Sequence, residues 1–261
     1  MKLFWVELFR AELKRSWTEL IRYPAEAIGG IVIITIVFYG LFLSARYMAG
    51  PAMQFGDRLD AVVVGYVLWT LTLFIISDIS LNLQSEAQTG TLEQIFLSPF
   101  GASRIFLVRA LASLTIRLTL ITTILLILMG ITGSRLQFPP TLVLPLVTIL
   151  MAGYGLAFMM GACALLFKRV QQLLGLFQFG LLFLLATPVE TWSTQLKLLG
   201  WMLPMIPSAG LLRGLMARGE ALDLSVFALA LVNGGVYFTL GMTIFRWAEQ
   251  QAKRRGLLGS Y

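Results

Sequence analysis

The chain has 261 residues, 58% of them hydrophobic and only 13% charged; a soluble domain carries about 25% charged residues, so nearly all of this chain requires an apolar solvent. Its net charge of +7 is held in clusters between long uncharged runs, which marks topology signals facing anionic headgroups rather than a nucleic-acid surface. There is no histidine and one cysteine, Cys163, which excludes disulfide frameworks, Cys/His zinc or haem sites and Cys–His or Ser–His acyl transfer within the chain.

Residues 1–24 place Val6, Phe9, Leu13, Trp17 and Leu20 at three- and four-residue steps, opposite Glu12, Lys14, Arg15 and Glu19. That spacing predicts an amphipathic helix ending before Pro24, and Trp5 and Trp17 suit the inner membrane interface. Charges run throughout it, so it is not read as a cleavable signal. Anchoring is its simplest role; receiving force from a cytoplasmic partner is the other.

A spanning helix needs about 20 apolar residues. Six stretches qualify: 27–45, 61–83, 104–131, 141–167, 170–189 and 224–246. Asp78 and Arg117 are the charges most embedded in them, and an intramembrane charge is a functional candidate. They either pair and brace the second and third spans, line a polar path, or snorkel separately to the headgroups. On the fourth span, Gly153, Ala157 and Gly161 form a small-residue ridge that permits close helix approach, within one subunit first and between subunits second. Cys163 reads as a small buried hydrophobe.

Residues 196–217 are apolar but broken by Gly200, Pro204, Pro207 and Gly210, with Arg213 following. Irregular backbone of this kind predicts a re-entrant or interfacial hairpin, with a seventh span as the competing reading. With six spans, 13 of the 20 Lys and Arg residues fall on one side and six on the other, Arg117 lying within a span. The positive side is cytoplasmic, so both termini are expected inside the cell membrane.

Between the second and third spans, Thr91 followed by Gln94 reads as a capping box, and Pro99 as a stop, for a short cytoplasmic helix over 89–99. Glu93 suits its first turn. Leu92, Ile95 and Phe96 are expected to expose apolar surface there, which packs on the chain's own helices or docks into a soluble partner; docking is the preferred reading.

The run Glu86-x-x-x-Gly90-Thr91-Leu92-Glu93, followed by Ser98-Pro99, resembles the signature of type 2 ATP-binding-cassette (ABC) transporter permeases. The resemblance extends to the N-terminal helix, the six spans and the broken hairpin with Pro204, Pro207 and Arg213. Relatives often carry basic residues between the Glu and the Gly, where this chain has Ala87, Gln88 and Thr89. What the resemblance implies is an all-α permease whose loop is a coupling helix seated in a cytosolic ATPase subunit. It also implies a second permease copy, membrane lipid around the pair, and ATP and Mg bound by the ATPase rather than any cofactor or metal here. Independently, the chain contains no Gly-Lys pair and hence no P-loop, so energy comes in trans or transport is passive. The alternatives are a membrane enzyme using Glu190, Glu220 and Asp223, which lack an accompanying nucleophile–base set, or a non-transporting assembly subunit. Nothing in the sequence names a substrate.

Overall fold

The computed structural model describes residues 2–49, 56–98, 100–167, 170–187 and 199–254. Within them the chain forms helices and no strand: α1 (Lys2–Arg22), α2 (Pro24–Ala49), α3 (Gly56–Gln88), α4 (Leu92–Leu97), α5 (Ala102–Thr132), α6 (Val143–Phe167), α7 (Gln171–Ala186), α8 (Ile206–Ala217) and α9 (Leu224–Arg254). A 3-10 turn, Pro140–Leu142, leads into α6. Helices are the expected outcome for long uncharged runs, because hydrocarbon offers no partner to backbone N–H and C=O groups.

Five segments are long and apolar enough to cross a membrane: Pro24–Ser44, Asp60–Gln88, Ala102–Thr132, Pro140–Phe167 and Leu224–Arg254. They make this a multi-pass membrane protein. The fifth expected span, 170–189, corresponds to α7, which at 16 residues rises only about 24 Å against a ~30 Å core. Residues 188 and 189 lie outside the described residues, as do Lys168, Arg169, Glu190, Trp192 and Lys197.

The core is built on α6, which lies against α9 on one side and α3 on the other. Its contact with α9 is a backbone-to-backbone approach. A Cβ on Gly155 would overlap the Tyr237 carbonyl, and one on Gly241 would overlap the carbonyl of Gly155. At Gly234 a Cβ would lie 2.7 Å from the Thr148 oxygen. Below this seam Phe158 and Phe245 meet edge to face at 5.3 Å, with Phe106 of α5 6.3 Å from Phe245. The Gly153–Ala157–Gly161 ridge faces α3 within the same chain: Gly161 sits under Ile79 and Leu83, and Gly153 near Ile75.

Two helices ride on the outside. The α2 helix inserts Phe38 against Tyr66, ring centroids 4.8 Å apart, and Tyr66 donates to the Ile34 carbonyl at 2.7 Å. Most of its other large side chains are exposed, as a lipid-facing helix requires. The α7 helix is held by Gln178, whose carbonyl accepts from Trp69 Nε1 (2.8 Å) and whose amide donates to Ser77 Oγ (2.9 Å). Leu176, Phe179 and Phe183 point away from the protein.

Helix α1 departs from the expected facing. Val6, Trp17 and Ile21 are exposed along one apolar edge, but Glu12 is buried on the side that packs on α5 rather than lying on a solvated face. Its reason is an ionic partner described next.

Candidate functional site

The α3–α4–α5 connection is shaped by backbone before side chains. The α3 helix closes in a Schellman motif: Thr91 N–H donates to the Glu86 carbonyl (3.1 Å) and Gly90 N–H to that of Ala87 (3.3 Å). Gly90 takes φ +74°, a left-handed value that costs glycine nothing. Gly101, at φ +79°, does the same before α5. These two reversals set α4, six residues long, between two spanning helices.

The capping box does not form. Thr91 adopts a helical backbone and makes no side-chain cap hydrogen bond. Its hydroxyl instead donates to the Glu86 carboxylate. The expected exposure of Leu92 and Phe96 is likewise corrected: both are buried in the main core, and Ile95 is half-buried. They find partners in the helices at this end of the bundle, with Lys253 Nζ of α9 5.5 Å from the Phe96 ring. What α4 presents outward is Gln94 and Leu97, the latter 82% exposed. Ser98 closes the helix by donating its N–H to the Ile95 carbonyl (3.2 Å). Pro99 and the Glu93 side chain lie outside the described residues.

Glu86 faces inward. Its Oε1 accepts from Arg109 Nη1 at 2.6 Å, while Arg109 Nε donates to Glu12 Oε1 at 2.9 Å. One guanidinium on α5 therefore joins α3 and α1, with all three side chains largely removed from solvent. Trp5 adds an edge contact to Phe100 at 5.6 Å. In the sequence Arg109 is one of the 13 Lys and Arg residues on the positive side, and Glu12 falls on the polar face of α1. Nothing local singles Glu12 out, since it is one of three carboxylates on α1, with Glu7 and Glu19.

Asp78 and Arg117 are brought together as an ion pair between α3 and α5. Ser113 Oγ donates to the other Asp78 oxygen at 2.7 Å, and the Arg117 guanidinium lies 5.5 Å from the Phe74 ring. Of the three readings, the structure shows the two charges paired rather than apart. Removing one partner strands the other at a cost of about 3 kcal/mol. Asp78→Arg and Arg117→Asp should each lower the melting temperature in detergent, and the double exchange should recover at least half of either loss. Additive losses would rule out the pair as a brace.

The broken segment is organised by polar clasps at the other end of the bundle. Residues 199–202 are helical, Met205 turns through φ +68°, and Pro207 occupies the first turn of α8. Asn233 of α9 holds the turn, donating to the Trp201 and Leu203 carbonyls (both 3.1 Å) and accepting from Met205 N–H (3.3 Å). Tyr237 donates to the Met202 carbonyl at 3.0 Å, and the Thr148 and Ser208 hydroxyls meet at 2.8 Å. Pro204 lines a shallow apolar groove along α7 with Leu173, Phe177 and Leu181. Arg213 is 1% exposed and donates to the carbonyls of Leu185 (2.6 Å) and Thr187 (3.4 Å), gripping the C-terminus of α7. Asn233 was missed because a single amide does not interrupt an apolar run.

Of the carboxylates considered for acid–base chemistry, Glu220 and Asp223 have structural partners, and Glu190 lies outside the described residues. Glu220 is bidentate with Arg218 (2.6 and 3.2 Å) beside a cleft of about 190 Å³ lined by Trp201 and Pro207. Asp223 caps α9, accepting from the N–H groups of Ser225 (2.8 Å) and Val226 (3.4 Å). Among the described residues no group of three or more His, Cys, Asp or Glu is placed to hold a metal ion. No protein-family model matches the chain, and no curated protein matches it.

Proposed function

We propose that the chain is the permease subunit of an ATP-driven exporter, crossing the cell membrane six times with both termini in the cytoplasm. The carrying observation is α4: a six-residue helix turned by Gly90 and Gly101 between two long helices, offering Leu97 to a partner. The α3 helix, with 33 residues, rises about 50 Å and outreaches the hydrocarbon, so its Glu86 end and α4 stand in the headgroup or aqueous zone. The Lys and Arg excess puts that end inside. There α4 acts as a coupling helix for a soluble ATPase that binds ATP and Mg, and two copies of the chain enclose the path. On this reading α7, with the residues that follow it up to 189, completes the fifth span, and residues 196–217 form a re-entrant hairpin. The resemblance of the 86–99 run to type 2 ABC permeases supports the same assignment. Structural employment of Glu220 and Asp223 counts against the enzyme alternative.

Affinity purification in mild detergent tests it. An ATPase should co-elute with the wild-type chain. Leu97→Asp should reduce its yield about tenfold or more, matching the ~1.5–3 kcal/mol carried by a buried leucine. An intact complex after replacement of the whole 90–98 segment would refute docking at α4.

A further inference from the structure

The Glu12–Arg109–Glu86–Thr91 chain has a consequence for motion. Its hydrogen bonds run in series from α1 through α5 and α3 to Thr91, the residue that immediately precedes α4. No other described ion pair joins α1 to the bundle. Arg109 is the middle link, and it is flanked by two carboxylates that repel each other once the guanidinium is gone. Both carboxylates are 10–15% exposed, so this repulsion is screened far less than at the surface. The Trp5–Phe100 contact sits alongside, on the turn that follows α4. At its opposite edge α1 exposes Val6, Trp17 and Ile21, the face an interfacial helix buries among lipid headgroups.

We propose that Arg109 is a positioning residue that makes α1 follow α4, so that a displacement of α4 is delivered to the interfacial helix and not only to α3 and α5. The inference deepens the permease reading and rests on it for the source of the displacement; the mechanical link itself is a property of this chain alone. Static anchoring of α1 is the competing role for the same residue. The two differ in one respect: an anchor holds α1 whatever α4 does, whereas a link transmits a disturbance.

Hydrogen exchange of the full chain in lipid nanodiscs separates them. Leu92→Ala loosens α4 by removing a buried side chain. Amides of α1 over residues 5–20 should then exchange at least threefold faster, as should those over 86–98. In Arg109→Gln, α1 should exchange about tenfold faster on its own, and adding Leu92→Ala should change α1 no further while still loosening 86–98. Glu12→Gln should speed α1 and leave 86–98 unchanged. Protection across α6 and α9 serves as the folding control and should stay at the wild-type level. The proposal is overturned if Leu92→Ala leaves α1 unchanged, or if its effect on α1 is the same with and without Arg109. Repeating the exchange on the complex with its ATPase, with and without ATP, addresses the permease reading separately. A chain that recruits no ATPase sinks that reading and leaves the exchange outcome to decide the link.

Discussion

Gly241→Leu should prevent this chain from folding into a single species, and Gly241→Ala should destabilise it sharply. The Cβ of any residue there collides with the backbone carbonyl of Gly155, which cannot rotate away as a side chain can. The α6 and α9 axes must therefore separate along the whole seam, opening Gly234 from Thr148 and Phe158 from Phe245. Overpacking of this kind costs about 1–3 kcal/mol for one methyl and more for a branched side chain. In a membrane the loss is not offset by apolar solvent pressure, because lipid is as apolar as leucine and helix association depends on close packing itself. Size-exclusion profiles after graded heating in detergent would measure it: a lowered midpoint for the alanine and no monodisperse peak for the leucine. Gly235, next to the seam but with open space around it, supplies the control. Gly235→Leu should run as wild type, and equal behaviour of the two leucine variants would show that the seam is not limiting.

The seam also illustrates which parts of the molecule were legible in the sequence. Hydrophobic runs located the helices well: 27–45 became Pro24–Ala49, 104–131 became Ala102–Thr132 and 141–167 became Val143–Phe167. In hydrocarbon the backbone has one solution, so a run of adequate length determines the element. Which faces meet is a different question. Gly153, Ala157 and Gly161 were visible as a ridge because they repeat within one helix. Gly155, Gly234 and Gly241 work as a set only when α6 and α9 are known to be neighbours, about 80 residues apart in sequence.

The candidate site divides in the same way. The short helix between the second and third long helices was visible from its punctuation, although Gly90 acts through a Schellman turn and not through the capping box at Thr91. Periodicity revealed that Leu92 and Phe96 share an apolar face, but not that α3, α5 and α9 already cover it. Glu12 was set on the wet face because charge patterning takes water as the default partner. Its true partner, Arg109, lies 97 residues away. Long-range polar pairs carry no local signature, which is why Asn233 and Arg213 also acquired their roles only in three dimensions.

Arg213 gives the second large effect. A guanidinium at 1% exposure is expensive to bury, and it is tolerated here because its fork meets the carbonyls that end α7, the negative pole of that helix. Gly65 of α3 makes the room: a Cβ there would stand 2.6 Å from the Leu185 oxygen and 3.5 Å from Arg213 Nη1. Arg213→Met keeps most of the volume but leaves two enclosed carbonyls without this donor, at about 1–3 kcal/mol each. Since α7 contributes few buried side chains of its own, it should be the element that loosens. The expected result is faster amide exchange over 171–186 and a lower melting midpoint, with α6 and α9 protected as before. Arg213→Lys retains the charge without the fork and should fall between the two. Gly65→Val attacks the same contact from α3 and should reproduce the α7 effect without touching the charge. If Arg213→Met melts as wild type while Gly65→Val loosens α7, steric fit alone seats that helix and the buried cation is not its clasp.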